Sequence, residues 1–131
     1  MTLVDTNVLL DVLVEGARHG DESEARLAAA LRAGPVVIND VIAAELAPIF
    51  ATERDLWQML ATAQIQHDPY PREAIFMAGA AFLQYRRSGG ARQRILPDFL
   101  IGAHAMGVGA TLLTRDRGFY RTRFPGLRLT R

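Results

Sequence analysis

Short apolar or β-branched runs alternate along the chain with longer stretches whose apolar positions recur every three or four residues. Five runs bounded by turn residues predict strands: Thr2–Val4, Val36–Ile38, Ala63–His67, Thr111–Thr114 and Leu127–Thr130. Helices are expected between them at Asn7–Val14, Glu22–Ala33, Val41–Phe50, Glu53–Thr62, Arg72–Ser88 and Pro97–Met106. Gly34-Pro35 is a stop signal for the second, Asp40 offers an N-cap for the third, and Pro48 should kink or end it. Gly107-Val-Gly109 suits the C-cap of the last. Strands separated by helices of this size predict an α/β fold on a mostly parallel sheet of about five strands, covered on both faces.

At 131 residues, with no linker or internal repeat, the chain is read as a single domain, 1–131, able to build a hydrophobic core unaided. No apolar stretch reaches the roughly 18 residues of a membrane span, and no secretion signal is visible, so a cytoplasmic protein off the membrane is expected. Cysteine is absent, which excludes disulfides, thiolate metal sites and a cysteine nucleophile.

Charge is divided along the chain. Residues 1–83 carry 5 basic and 12 acidic side chains, whereas residues 84–131 carry 10 basic and 2 acidic. The two acids in that basic half are Asp98 and Asp116, set among Arg86, Arg87, Arg92, Arg94, Arg115 and Arg117. Such a surface attracts phosphates; a solvated basic face is the other reading. The segment from Arg87 to Arg94, rich in glycine and arginine, is expected to be a loop, either inert or in contact with substrate. All 15 basic residues are arginine, so mechanisms that need a lysine are excluded.

The candidate chemistry lies in four carboxylates. Asp5 and Asp116 each end an apolar strand segment, where α/β sheets open their ligand crevices. Asp98 follows Pro97 at a helix start and Glu45 stands among alanines; a dipole-stabilised helix end and a water-facing side chain are the alternatives for these two. Thr6 and Asn7 add short polar groups beside Asp5. Clustered carboxylates persist as anions only beside cations, and hard oxygen ligands favour Mg²⁺ or Mn²⁺, ions that activate water for phosphodiester cleavage.

Four segments carry a family resemblance: Val4-Asp5-Thr6-Asn7-Val8-Leu9-Leu10; Asn39-Asp40-Val41 leading to Glu45; Leu96-Pro97-Asp98-Phe99-Leu100-Ile101-Gly102-Ala103-His104-Ala105; and Leu113-Thr114-Arg115-Asp116-Arg117-Gly118-Phe119. In this order and spacing the chain resembles, over essentially its whole length, PIN-domain ribonucleases of the VapC type, the toxins of bacterial toxin–antitoxin pairs. The resemblance implies a three-layer α/β/α sandwich, Mg²⁺-dependent endonucleolytic cleavage of RNA and neutralisation by a cognate antitoxin. It implies that Asp5 and Asp98 are the principal metal ligands, that Glu45 and Asp116 complete the anionic site, and that Thr6, Asn7 and Thr114 support them. A non-catalytic PIN-like module that binds RNA or a protein, and a housekeeping PIN nuclease, are the competing readings.

A homodimer is expected partly by resemblance and partly because Ile42, Ile49, Phe50, Leu56, Trp57 and Leu60 offer more apolar area than a small core needs, core burial being the alternative for most of them. Other small α/β folds fit poorly. A receiver domain needs a lysine, a dehalogenase-type phosphatase needs aspartate where Asn7 stands, and no phosphate-binding Gly-Lys loop exists. His19, His67 and His104 are scattered and are read as structural or exposed.

Overall fold

The computed structural model describes residues 1–90 and 96–131. Four strands form one sheet: β1 (Thr2–Val4), β2 (Val36–Ile38), β3 (Ile65–His67) and β4 (Thr111–Leu113). All pairings are parallel and the order is β3-β2-β1-β4. β2 is buried at all three positions, which requires cover on both faces, as the three-layer expectation demands. The expected fifth strand contributes a single parallel bridge, Leu112 to Leu129, flanked by Leu112 N–H to Arg128 O at 2.8 Å and Thr130 N–H to Leu112 O at 3.0 Å. Ala63 caps the preceding helix and Gln64 takes φ 60°, so the third strand starts two residues later than its apolar run.

The helices are α1 (Thr6–Leu13), α2 (Gly20–Ala33), α3 (Asp40–Leu46), α4 (Glu53–Thr62), α5 (Arg72–Arg87), α6 (Leu96–Gly107) and α7 (Arg117–Arg123). Asn39, not Asp40, caps α3, its Oδ1 accepting the Ile42 N–H at 2.9 Å. Asp40 instead meets His67 Nε2 at 2.5 Å. Pro48 ends α3 as expected, and the chain passes into a 3₁₀ turn at Ala47–Ile49. α7 was not expected, because a seven-residue helix with three arginines carries too little apolar periodicity. Its Tyr120 and the following Phe124 are nevertheless buried.

Leu3, Val4, Ile38, Leu112 and Leu113 form the centre of the core, with Ile42, Leu56 and Leu60 packed from the helices. Those three therefore leave the set of candidate surface residues, whereas Ile49 and Trp57 remain exposed. Phe99 on α6 is fully buried and contacts the rings of Phe82, Tyr85, Phe119 and Phe124. A Cβ on Gly102, one turn later, would lie 2.5 Å from the Phe124 ring, so α6 approaches that residue as only glycine allows. No helix among the described residues is long and apolar enough to cross a membrane.

Candidate functional site

The chain runs from β1 outward through β2 to β3 on one side and returns to place β4, still parallel, on the other, so the strand order reverses between β1 and β4. A crevice opens at the carboxyl ends of strands at such a point. Asp5 follows β1 and Thr114 follows β4 there, with the Asp5 N–H donating to Leu113 O at 2.8 Å. Asp5, Glu45, Asp98 and Asp116 all line one cleft of about 270 Å³, with Thr6, Asn7 and Leu10 completing its wall. Glu45 comes from α3, Asp98 from the first turn of α6, and Asp116 from the residue before α7. Among the described residues, no three histidine, aspartate or glutamate side chains converge tightly enough to form a metal-holding group by themselves.

The side-chain hydrogen bonds to Asp5 come from two of the three polar residues expected to support the site, Thr114 and Asn7. Thr114 donates its hydroxyl to Asp5 Oδ2 at 2.7 Å, and Asn7 Nδ2 approaches the same oxygen at 3.3 Å. The Thr114 oxygen in turn accepts the Asp116 N–H at 3.0 Å. Thr6 donates to Glu45 Oε1 at 2.7 Å, tying α1 to α3 across the cleft. Asp5 is buried, and burial pushes its pKa up to about 6 against the opposing Thr114 bond, with the charges of Asp98 and Glu45 adding to the rise. A buried carboxylate raised by two neighbouring carboxylates is an arrangement that a divalent cation would relieve, and the all-oxygen donor set fits a hard ion.

Tyr120 lies close enough to Asp5, Asp98 and Asp116 to feel their charges. Its hydroxyl is buried with no hydrogen-bond partner among the described residues. Burial raises its pKa, and the charges of Asp5, Asp98 and Asp116 raise it further; it approaches Asp5 without reaching good hydrogen-bond geometry. Sequence reasoning missed Tyr120 because α7 itself was not foreseen.

The basic candidates divide. Arg115 reaches back to α1, its Nε 2.6 Å from Asp11 Oδ2 and its second nitrogen 3.2 Å from Oδ1. Burial raises the pKa of Asp11, but Arg115 and the Ser23 hydroxyl, 2.6 Å from Oδ2, outweigh it and hold the carboxyl below its ordinary value. Arg115 is thus spent on Asp11, and Arg117 donates to the Thr130 carbonyl. Arg86 and Arg87 end α5 and are exposed. Arg92 and Arg94 lie outside the described residues. A second and larger hollow, about 550 Å³ between α3, α4 and β3, is lined chiefly by Ala43, Ala44, Ala47, Leu56 and Trp57 and contains none of the four carboxylates.

The chain matches the PIN domain model over residues 2–125 and belongs to the PIN domain family. None of the curated proteins matches it. Its fold is that of a chain in VapBC2 from Rickettsia felis, solved bound to a DNA fragment from their promoter, with a TM-score of 0.74 at 20% identity, covering 98% of this chain and 96% of that one. VapBC-1 from nontypeable Haemophilus influenzae is similar with a TM-score of 0.74 at 16% identity and the same coverages, 98% and 96%. DNA-bound VapBC from Salmonella typhimurium gives 0.68 at 19% identity, again covering 98% and 96%.

Proposed function

We propose that this PIN-domain chain is a metal-dependent endoribonuclease and the toxin of a toxin–antitoxin pair. The observation that carries the reading is the convergence of Asp5, Glu45, Asp98 and Asp116 on one cleft at the point where the strand order reverses, with Asp5 buried and raised to about 6. Asp5 and Asp98 would hold Mg²⁺, or Mn²⁺ in its place, with Glu45 and Asp116 completing the anionic wall. The ion supplies positive charge at the phosphodiester and lowers the pKa of a bound water. The chain's own residues do the positioning. Thr114 and Asn7 orient Asp5 through Oδ2, and Thr6 holds Glu45 through Oε1. Arg86 and Arg87, exposed at the end of α5, would meet RNA phosphates, and the sequence alone adds Arg92 and Arg94 to them; Arg115 and Arg117 already serve Asp11 and Thr130.

An antitoxin protein as partner is supported by the fold shared with chains of VapBC complexes. A homodimer is supported by the outward face of α5, where Phe76 is 85% exposed and Ile75 and Leu83 are exposed with it. The competing reading, a PIN-like module that binds without cutting, draws on the absence of any tight three-ligand group among the described residues. Incubating the purified protein with mixed structured RNAs, with and without Mg²⁺, decides between them. Mg²⁺-dependent cleavage that is lost in Asp5→Asn is the expected result; binding without cleavage in either condition would favour the module.

A further inference from the structure

Among the helices that bound the acidic cleft are α3 with Glu45 and α6 with Asp98, and one buried side chain joins these two. His104 lies on α6 and is fully buried, as is Asn39. Its Nδ1 stands 3.1 Å from Asn39 Nδ2 and its Nε2 stands 3.1 Å from Asp68 Oδ2. The partners fix the direction of both bonds. Asn39 Oδ1 is already accepting the Ile42 N–H, so the amide presents its NH₂ to the ring, and Nδ1 must offer a lone pair. Nε2 then carries the hydrogen and donates it to the Asp68 carboxylate. Asp68 is itself anchored to the sheet, its N–H donating to Ile38 O at 2.8 Å.

Tyr70 reinforces the same joint. Its ring meets the imidazole edge-on at 5.1 Å, and its hydroxyl donates to Leu100 O of α6 at 2.7 Å. A continuous set of directed bonds therefore runs from the sheet through Asp68 and His104 to the capping residue of α3. Glu45 lies three residues beyond Ile42, whose amide ends that set. An apolar side chain would fill this volume without directing Asn39, and two fully buried polar side chains are costly unless their bonds are needed.

We infer that His104 is a positioning residue for the acidic cleft: through Asn39 it fixes the start of α3 against α6 and so sets Glu45 relative to Asp98. The inference rests on the metal-site reading above, and two isosteric variants separate it from simple packing. An asparagine at 104 places an acceptor oxygen near the imidazole Nδ1 and keeps the bond to Asn39, whereas a glutamine places its amide near Nε2 and keeps only the bond to Asp68.

The experiment measures Mn²⁺ affinity by electron paramagnetic resonance and Ile42 amide hydrogen exchange in the metal-free protein, for wild type, His104→Asn, His104→Gln and Asn39→Ser. Asn39→Ser retains a capping oxygen but loses the link to the ring, and it stands in for His104→Gln should that variant fail to fold. Losing a bond that orients a ligand-bearing element typically weakens metal affinity about tenfold or more. That loss, with faster Ile42 exchange, is expected in His104→Gln; Asn39→Ser should show the same loss of affinity, and His104→Asn should stay within about threefold of wild type, on the same scale. Equal losses in His104→Asn and His104→Gln, or unchanged Mn²⁺ affinity in His104→Gln, overturn the inference alone. A wild type that takes no Mn²⁺ overturns the metal reading and the inference with it.

Discussion

Thr114 donates its hydroxyl to Asp5 Oδ2 at 2.7 Å, joining the ends of two neighbouring strands across 109 positions of sequence. The bond stabilises the charged form of a carboxylate that burial otherwise disfavours. Thr114→Val keeps the shape and removes the donor. The Asp5 pKa in the metal-free protein should then rise above about 6, and the acid limb of any metal-dependent activity should move to higher pH. Titration of Asp5 by NMR in both proteins checks the first part; an unchanged value would mean that Asn7 alone suffices to orient the carboxylate.

Asp5→Asn should abolish RNA cleavage and yet stabilise the metal-free protein at neutral pH. The folded protein holds the Asp5 proton more tightly than the unfolded chain does, since the pKa rises from 3.8 to about 6. Stability is therefore lost as pH climbs through that interval and stays low above it. Asparagine remains neutral throughout, so the variant should gain on the order of a few kcal/mol over wild type at pH 7.5 and almost nothing at pH 4. Denaturant titrations at the two pH values test the sign. Equal differences at both would show that the carboxylate is not held in an unfavourable environment.

Asp5 was legible because a carboxylate that ends an apolar strand run and is followed by Thr6 and Asn7 has few other roles. Asp98 was legible only in company with the other three acids, since a helix start stabilises a lone aspartate for reasons of its own. Asp11 was not legible: it sits on the apolar helix α1, and its partner Arg115 is 104 residues away, where nothing local distinguishes it from Arg117. The tie between His104 and Asn39 is hidden for the same reason, since a lone histidine in an apolar helix carries no mark of which distant amide it will meet. The start of α3 shows a smaller limit. Asn39 and Asp40 are both good caps, and the choice between them depends on Asp40 finding His67 across the edge of the sheet.

Divalent metal should stabilise the folded state if the four carboxylates bind it, because the unfolded chain has no such site. At a free Mg²⁺ concentration of 100 times Kd the gain is about 2.7 kcal/mol. The melting temperature should rise over a millimolar titration in wild type, and Asp98→Asn should blunt the rise. A wild-type melting curve indifferent to both Mg²⁺ and Mn²⁺ would argue against a common metal site.

Gly102→Ala should destabilise the protein and weaken the site together. The added Cβ would sit 2.5 Å from the Phe124 ring, pushing α6 and the chain after α7 apart. Overpacking of this kind costs about 1–3 kcal/mol. Because Asp98 rides on the first turn of the same helix, Mn²⁺ affinity should fall with stability, and Phe124→Leu should recover part of both losses. A double variant no better than Gly102→Ala would locate the strain elsewhere.

The arginines offer a last contrast, since their surroundings separate phosphate contacts from structural ones. Arg86 and Arg87 are exposed at the end of α5, whereas Arg115 is held by two bonds to Asp11 beside the Ser23 hydroxyl. Each phosphate contact on single-stranded RNA contributes about 0.7 to the slope of log affinity against log salt. In the cleavage-dead Asp5→Asn background, changing Arg86 and Arg87 to alanine should flatten that slope by up to about 1.4 while leaving stability near that of the parent. Arg115→Ala should do the reverse. It strands the Asp11 carboxylate in a buried position with only Ser23 as a donor, so the melting temperature should fall, and the salt slope should hold. Above the ordinary aspartate range this loss should be complete, and it should shrink as pH falls and Asp11 protonates, because the depressed pKa of Asp11 is the work of Arg115 and Ser23 together. A salt slope that drops on removing Arg115, with stability intact, would make Arg115 an RNA contact after all.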